Sequence, residues 1–177
     1  MLKHFTKNIK GRDFVVGDIH GCFSDFEKHL KEINFNPSID RMFSVGDLID
    51  RGPESERCVE FLETTWFHAV RGNHEDMAIS YLDDHNLLWL QPQNGGDWIM
   101  DYLEEGEKFA FIEKMIKKFQ ELPLVIEVET QEGLVGIIHA ECPVDDWLVL
   151  QTLKDNKRVH NVCLWSRELI YIIIITS

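Results

Sequence analysis

The chain has 177 residues, 44% of them hydrophobic and 28% charged, a length and composition typical of one globular domain. Its formal net charge of -13 argues against binding to nucleic acid or to an anionic membrane surface, so an anionic substrate would need positive charge supplied at the site. The four cysteines form no C-x-x-C pair, and no apolar run reaches the ~20 residues of a membrane-spanning helix. A cytoplasmic location with reduced thiols is therefore expected.

Short β-rich runs alternate with stretches of helical period along the chain. Ser24 or Asp25 is the expected N-cap of the first helix, and Pro53 is expected to open the second. Alternating strands and helices indicate a single domain of the α/β class with a layered sheet. In chain order the predicted elements are a strand at 14–16, a helix at 23–33, a strand at 42–45, a helix at 53–64, a strand at 66–70, a helix at 75–90, amphipathic stretches at 98–104 and 107–121, and a hairpin of strands at 124–129 and 134–138.

Four of the predicted strands are followed directly by polar side chains that can bind a metal ion. Ligands of open α/β sheets bind at the carboxyl ends of strands. A single Asp or His at such a place is usually a turn or structural residue, but recurrence at four strand ends predicts one shared polar site. The residues are Asp18 and His20 in GDIHG, Asp47 and Asp50 in GDLIDRG, Asn73 and His74 in RGNHED, and His139 in HAE.

The types of side chain at these strand ends restrict the metal. Carboxylate, imidazole and amide groups without thiolate suit Mn²⁺, Fe²⁺ or Zn²⁺. One ion that keeps positions open for water and substrate does not need so many ligands, so two divalent ions that share a carboxylate are expected. Such a pair clamps the attacking and leaving oxygens of an in-line displacement and acidifies a water into a hydroxide nucleophile.

The motifs GDIHG, GDLIDRG and RGNHE resemble the three signatures of the metallophosphoesterases of the serine/threonine phosphoprotein phosphatase type. The later NGGDW, HAECP and LWSRE are most similar to the small bacteriophage lambda-type protein phosphatases. The resemblance covers about residues 11–169. It implies a four-layer α/β/β/α sandwich and hydrolysis of phosphomonoesters, with a phosphoprotein or a small phosphoester as substrate and two divalent ions, Mn²⁺ foremost, as cofactors.

The resemblance also implies a role for each metal ligand. Asp18 and His20 would hold the first ion, and Asn73 and His139 would hold the second. Asp47 would bridge the two ions.

The remaining motif residues would act on the phosphate itself, again as the resemblance implies. His74 would protonate the leaving-group oxygen, and Asp50 would orient its imidazole, the usual logic of a carboxylate beside a histidine acid. Arg51, Arg71 and Arg167 would bind the phosphate oxygens, for which the guanidinium fork is suited.

The chain departs from the family pattern after WSRE. There the family continues to a Gly-His motif that completes the second metal site, whereas His160 precedes WSRE and is not assigned a role. A domain lacking its C-terminal part is therefore expected, with weak binding of the second ion and an uncovered sheet edge. The final residues, LIYIIIITS, are interpreted either as a strand that pairs at that edge or as an out-of-frame ending without a role.

Two alternative functions stay open at this point. Hydrolysis of dinucleoside polyphosphates is one, because related phosphatases carry similar motifs; Glu75 favours the protein-phosphatase branch. A weakly active or inactive remnant that keeps the fold is the other.

Overall fold

A three-stranded parallel sheet carries the motif loops. The computed structural model describes residues 2–103, 106–150, 152–153, 156–167 and 173–175. Within it the sheet has the order β2 (Asp13–Val16), β3 (Arg41–Ser44) and β4 (Phe67–Ala69), with Val16 opposite Ser44 and Ser44 opposite Ala69. Because the strands are parallel and in register, the loops that follow all three emerge at the same edge.

A second sheet of four strands packs against the first. Its order is β1 (Leu2–Phe5), β5 (Val125–Glu129), β6 (Leu134–Ile138) and β7 (Ile173–Ile175). β5 and β6 form the expected antiparallel hairpin, whereas β1 runs parallel to β5. The buried cluster between the sheets joins side chains of both, namely Phe43, Val70, Ile126, Val128 and Ile137.

Helices cover the outer face of each sheet, which confirms the four-layer α/β/β/α arrangement. The outer face of the three-stranded sheet and its helices share the largest buried cluster, while the outer face of the four-stranded sheet has its own. The helices are α1 (Phe23–Glu32), α2 (Cys58–Leu62), α3 (Asn73–Asp84) and α4 (Glu107–Glu121) on the first sheet, and α5 (Trp147–Leu150) and α6 (Lys157–Trp165) on the second.

Helix α4 shows how the hydrophobic pattern produces this packing. Ile112, Met115, Ile116 and Phe119 recur at intervals of three, one and three residues, and all four are buried on one face. Each such side chain contributes at most about 1.5–3 kcal/mol to stability when it is fully buried. The predicted helix at 107–121 is thereby confirmed at both ends.

One predicted helix cap and two predicted helix boundaries are wrong. Helix α1 begins at Phe23 with Cys22 at the N-cap, not Ser24 or Asp25. Ser24 already lies inside the helix, and its amide and hydroxyl donate to the carboxylate of Glu54, which lies outside it. The helix expected from Pro53 begins only at Cys58, after a 3-10 turn at Ser55–Arg57. The helix expected to reach residue 90 ends at Asp84, where His85 adopts a left-handed φ of 56°.

The C-terminal run contributes a strand to the second sheet. Ile173–Ile175 pairs antiparallel with residues 134–136 of β6, as one of the two interpretations of the tail expected. Residues 169–172 and 176–177 of the tail, and Glu168 before it, lie outside the described residues. Across the described ranges, no helix combines the length and apolarity needed to cross a bilayer.

Candidate metal and phosphoester site

The side chain of Asp47 lies at the centre of the polar cluster at the strand ends. Its Oδ2 is 3.7 Å from Nε2 of His20 and 3.8 Å from Nε2 of His74, and its Oδ1 is 3.5 Å from Nε2 of His139. Asp18 Oδ2 is 3.9 Å from Nε2 of His20. Three loops from the parallel sheet and one from β6 therefore deliver their side chains to one place, as the motif pattern predicted.

Asp47 belongs to two groups whose ligand atoms lie close enough to hold an ion. One group is Asp18, Asp47 and His139, the other is His20, Asp47 and His74, and within each the ligand atoms lie within 4.8 Å of one another. A carboxylate common to both groups is what two neighbouring ions with one bridging ligand require.

Two of the histidines are held in the tautomer that a metal ligand needs. Nδ1 of His20 donates to the carbonyl of Ile49 (2.9 Å), and Nδ1 of His139 donates to the carbonyl of Val45 (2.8 Å). A carbonyl can only accept, so the proton lies on Nδ1 and Nε2 keeps its lone pair. In His139 that lone pair faces Oδ1 of Asn73 at 2.8 Å, an arrangement of two acceptors that a cation would stabilise.

His74 differs from the other two because its Nδ1 faces a carboxylate. Nδ1 donates to Oδ2 of Asp50 over 2.6 Å, and both side chains are buried, with 1% and 0% of their surface exposed. Asp50 also accepts the indole N–H of Trp89 on Oδ2 (2.7 Å) and that of Trp98 on Oδ1 (2.8 Å). A charge-assisted bond of this kind fixes the ring and leaves Nε2 directed toward the cleft.

The three arginines lie in different places. Arg51 bridges the cleft, with Nη1 2.6 Å from Nε2 of His20 and Nη2 3.1 Å from Nε2 of His74. Arg71 instead donates to the carbonyls of Phe119 and Gln120 at the end of α4, at 3.2 and 2.8 Å. Arg167 is exposed just after α6. Of the three, the structure brings only Arg51 into the cluster.

Comparison with known proteins decides the family. The model of the calcineurin-like phosphoesterases matches residues 14–173, nearly the whole chain. The chain belongs to the calcineurin-like phosphoesterase family.

Several proteins with phosphatase names are similar to this chain. Serine/threonine-protein phosphatase 1 of Salmonella typhimurium is 44% identical over 158 residues, which are 88% of this chain and 68% of that protein. A symmetrical bis(5'-nucleosyl)-tetraphosphatase of a Shewanella species is 32% identical over 80% of this chain and 47% of its own. A serine/threonine phosphatase of Saccharomyces cerevisiae shares the fold, with a TM-score of 0.59 at 21% identity over 93% of this chain and 52% of that chain. The chain thus spans between about half and two thirds of these relatives.

The phosphoesterase site depends on a residue that the motif analysis left without a role. Glu75 is fully buried, and its carboxylate accepts the backbone N–H groups of Asp47 (2.9 Å), Leu48 (2.7 Å) and Gly72 (2.8 Å). It therefore ties the loop after β3 to the start of α3. A Cβ on Gly72 would lie 2.2 Å from Oδ1 of Asp47, so the close approach of these loops requires glycine there. The fifth position of RGNHE is the sequence signal for Glu75.

Burial changes the protonation of the central groups. Burial, together with the nearby Glu75 carboxyl, raises the pKa of Asp47 to about 7, and burial lowers the pKa of His20. Both effects arise because a low-dielectric site disfavours isolated charge. A divalent cation at the cluster would counter the first effect, since the ion is then the largest local charge.

Backbone strain is concentrated in the same loops. His20, Asp47, Asp50 and Arg51 have φ values of 45, 50, 73 and 68°. Residues with side chains rarely adopt this left-handed region, and each instance costs of order 1–3 kcal/mol. The surrounding hydrogen bonds hold the strained loops in the one arrangement that gathers the polar groups.

Proposed function

We propose that the chain is a metal-dependent phosphomonoesterase of the serine/threonine protein phosphatase type. The observation that carries the proposal is the cleft built around Asp47, whose carboxylate lies close to the ligand atoms of Asp18, His20 and His139. The same carboxylate lies 3.8 Å from Nε2 of His74, which is bonded to Asp50 and is left free to act as the acid. The family membership and the 44% identity to a serine/threonine-protein phosphatase point to the same activity.

The residues present fit two divalent ions. We assign Asp18 and His20 to the first ion, Asn73 and His139 to the second, and Asp47 to both. When bound, the ions supply positive charge for the phosphate and acidify water, and Mn²⁺ suits this oxygen and imidazole set. The positive charge would let a chain of net charge -13 accept an anionic substrate.

His74 is the proposed general acid. Its Nδ1 is committed to Asp50, so only Nε2 can give a proton to the leaving oxygen. A protonated Nε2 cannot accept from Arg51, which now lies 3.1 Å away, so the Arg51 guanidinium has to turn outward when the acid is loaded. A phosphate dianion in the cleft would hold Arg51 in that outward position through a bidentate contact.

Contacts of Arg71 and Arg167 with the phosphate remain part of the proposal. For Arg71 they require release from the carbonyl groups at the end of α4. The proposed substrates are phosphoproteins and small phosphoesters. The four free cysteines fit a cytoplasmic location.

Hydrolysis of dinucleoside polyphosphates is the second candidate function. The observation in its favour is the 32% identity to a symmetrical tetraphosphatase, which is weaker than the identity to the protein phosphatase.

The experiment is release of phosphate by the purified chain with Mn²⁺, measured on a phosphoserine peptide and on diadenosine tetraphosphate. The proposal predicts turnover of the peptide that requires Mn²⁺ and falls by at least about 100-fold in His74→Asn. Absence of turnover on phosphopeptide and small phosphoester, in a folded chain loaded with Mn²⁺, would refute it. Faster turnover of the dinucleotide than of the peptide would favour the second candidate.

A further inference from the structure

The segment between α3 and α4, residues 86–103, makes two contacts with the catalytic pair. We call it the tryptophan loop. Its Trp89 donates to Oδ2 of Asp50 at 2.7 Å, and its Trp98 donates to Oδ1 of Asp50 at 2.8 Å. The two indoles are 39 and 48 residues away from Asp50 in the sequence, so the loop folds back onto the motif loop after β3.

The two indole bonds restrict the carboxylate in a way that the imidazole alone does not. With His74 as its sole partner, the Asp50 carboxylate could turn about its Cβ–Cγ bond and carry the bonded imidazole with it. Trp89 on Oδ2 and Trp98 on Oδ1 anchor both oxygens from outside the pair, so the position of each oxygen no longer depends on the imidazole. Because Nδ1 of His74 bonds to Oδ2 at 2.6 Å, a fixed carboxylate plane also fixes the imidazole ring.

The indoles are themselves held rigidly. Trp89 has no exposed surface, and its ring meets that of Trp98 edge-to-face, with centroids 6.1 Å apart and an interplanar angle of 89°. The ring of Tyr81 also packs against that of Trp89, with centroids 5.8 Å apart. Aromatic side chains have few rotamers, so such a cluster positions hydrogen-bond donors at a small cost in conformational entropy.

The NGG turn of the tryptophan loop packs closely against the indole of Trp89. A Cβ on Gly96 would lie 2.4 Å from both Cδ1 and Nε1 of Trp89. Any side chain at this position would push the indole away from Asp50. Gly96 is therefore needed for the same arrangement as Trp89 and Trp98.

We propose that Trp89 and Trp98 are positioning residues that orient the general acid His74 through Asp50. The inference rests on the proposed function, in which His74 gives its proton to the leaving oxygen. Loss of either indole N–H would leave the acid present but misdirected. The effect should therefore fall on substrates that need protonation of the leaving group.

The kinetic test compares two phosphoesters that differ in leaving group. Phenolate needs a proton to leave, whereas p-nitrophenolate does not, so only phenyl phosphate depends on the acid. In Trp89→Phe and Trp98→Phe we expect kcat on phenyl phosphate to fall about tenfold to 100-fold, with KM and the rate on p-nitrophenyl phosphate within about threefold of wild type. Gly96→Ala should show the same pattern.

The matched control is Trp66→Phe. Trp66 lies just before β4 and packs against Phe35 and Phe61, with ring centroids 5.0 and 6.0 Å away. It is not one of the indoles proposed to orient Asp50. It should leave both rates unchanged. An equal fall on both substrates, or no fall on either, in folded Trp89→Phe and Trp98→Phe would overturn the proposal. If Trp89→Phe does not fold, Trp98→Phe, whose side chain is only half-buried, decides alone.

A second readout separates this inference from the proposed function. The Nδ1–H proton of His74 should give a downfield NMR resonance that is protected from solvent exchange and absent in His74→Asn. We expect Trp89→Phe and Trp98→Phe to shift or broaden it, and Trp66→Phe to leave it in place. If the wild type has no turnover on any phosphoester, the proposed function fails, while an unchanged resonance in both indole variants would overturn the positioning role itself.

Discussion

Replacement of Asp50 by asparagine tests how much the buried hydrogen-bond network contributes to stability. The carboxylate has two oxygens that accept three N–H groups, from His74 and Trp89 on Oδ2 and from Trp98 on Oδ1. The amide of Asp50→Asn has one oxygen. If that oxygen takes the place of Oδ2, the bonds from His74 and Trp89 are kept. The NH₂ group of the amide then faces the N–H of Trp98, so two donors meet.

The cost of this change follows from those contacts. One buried donor without a partner costs about 1–3 kcal/mol, and the two remaining bonds lose the assistance of a charged acceptor. We therefore expect Asp50→Asn to lower the free energy of unfolding by about 2–4 kcal/mol. Urea unfolding followed by circular dichroism at pH 7 measures this quantity.

The control is another loss of an aspartate charge, at an exposed site. Asp25 is 66% exposed and pairs with Lys28 on the surface of α1. Asp25→Asn should change the free energy of unfolding by less than about 0.5 kcal/mol. If Asp50→Asn also stayed within about 0.5 kcal/mol of wild type, the reasoning from the hydrogen-bond count would be refuted.

Three further changes test other parts of the structure. Burial, with Lys3 nearby, lowers the pKa of His68 to about 4. The unfolded chain therefore binds this proton more readily than the folded one, and the free energy of unfolding should fall as the pH goes from 6.5 toward 4. His68→Gln should remove about 1–2 kcal/mol of that pH dependence in urea unfolding. The Arg12 guanidinium holds the pKa of Asp40 at about 2. The stabilisation that results is complete above pH 3.8 and is lost as the pH falls through 2. Asp40→Asn should lower the free energy of unfolding by about 1–2 kcal/mol at pH 7, and no loss would contradict the pairing. Gly72→Ala places a Cβ 2.2 Å from Oδ1 of Asp47. It should therefore lower the free energy of unfolding by at least about 2 kcal/mol and weaken Mn²⁺ binding in a titration. Wild-type values for both would show that the loops can move apart.

The site was predictable because its motifs are local. Each motif places a polar residue within a few positions of a strand end, and parallel strands bring their carboxyl ends together. Asp18, Asp47 and His139 could therefore be assigned to one cluster from the strand pattern alone, and the structure brings them within ion-binding distance. The hairpin and α4 were predictable for the same reason, since hydrophobic period is a local signal.

The features that were missed depend on contacts between distant residues. Strand β1 pairs with β5 through Leu2 and Val125, and nothing near residue 2 in the sequence indicates that partner. The helical pattern after Asp84 continues in the sequence, but the chain leaves the helix, and Trp89 lies in the loop beyond it with its indole on Asp50. Tertiary contacts override local propensity in both places.

Side-chain direction was equally inaccessible. An indole in a core and an indole bonded to a catalytic carboxylate look the same in a sequence, so the sequence does not indicate the contacts of Trp89 and Trp98 with Asp50. Arg71 has a long flexible side chain, and the carbonyl groups of Phe119 and Gln120 at the end of α4 provide acceptors that no motif records.

The most direct test of the metal-centre account is a Mn²⁺ titration of the wild type and of Asp47→Asn. Free Mn²⁺ is measured by electron paramagnetic resonance, and hydrolysis of p-nitrophenyl phosphate is followed in the same samples. Because Asp47 belongs to both ligand groups, its loss should weaken Mn²⁺ binding at least about tenfold and remove turnover, while Asp25→Asn behaves as wild type. Wild-type binding and turnover in Asp47→Asn, or wild-type turnover that persists after chelation of all divalent ions, would contradict the account.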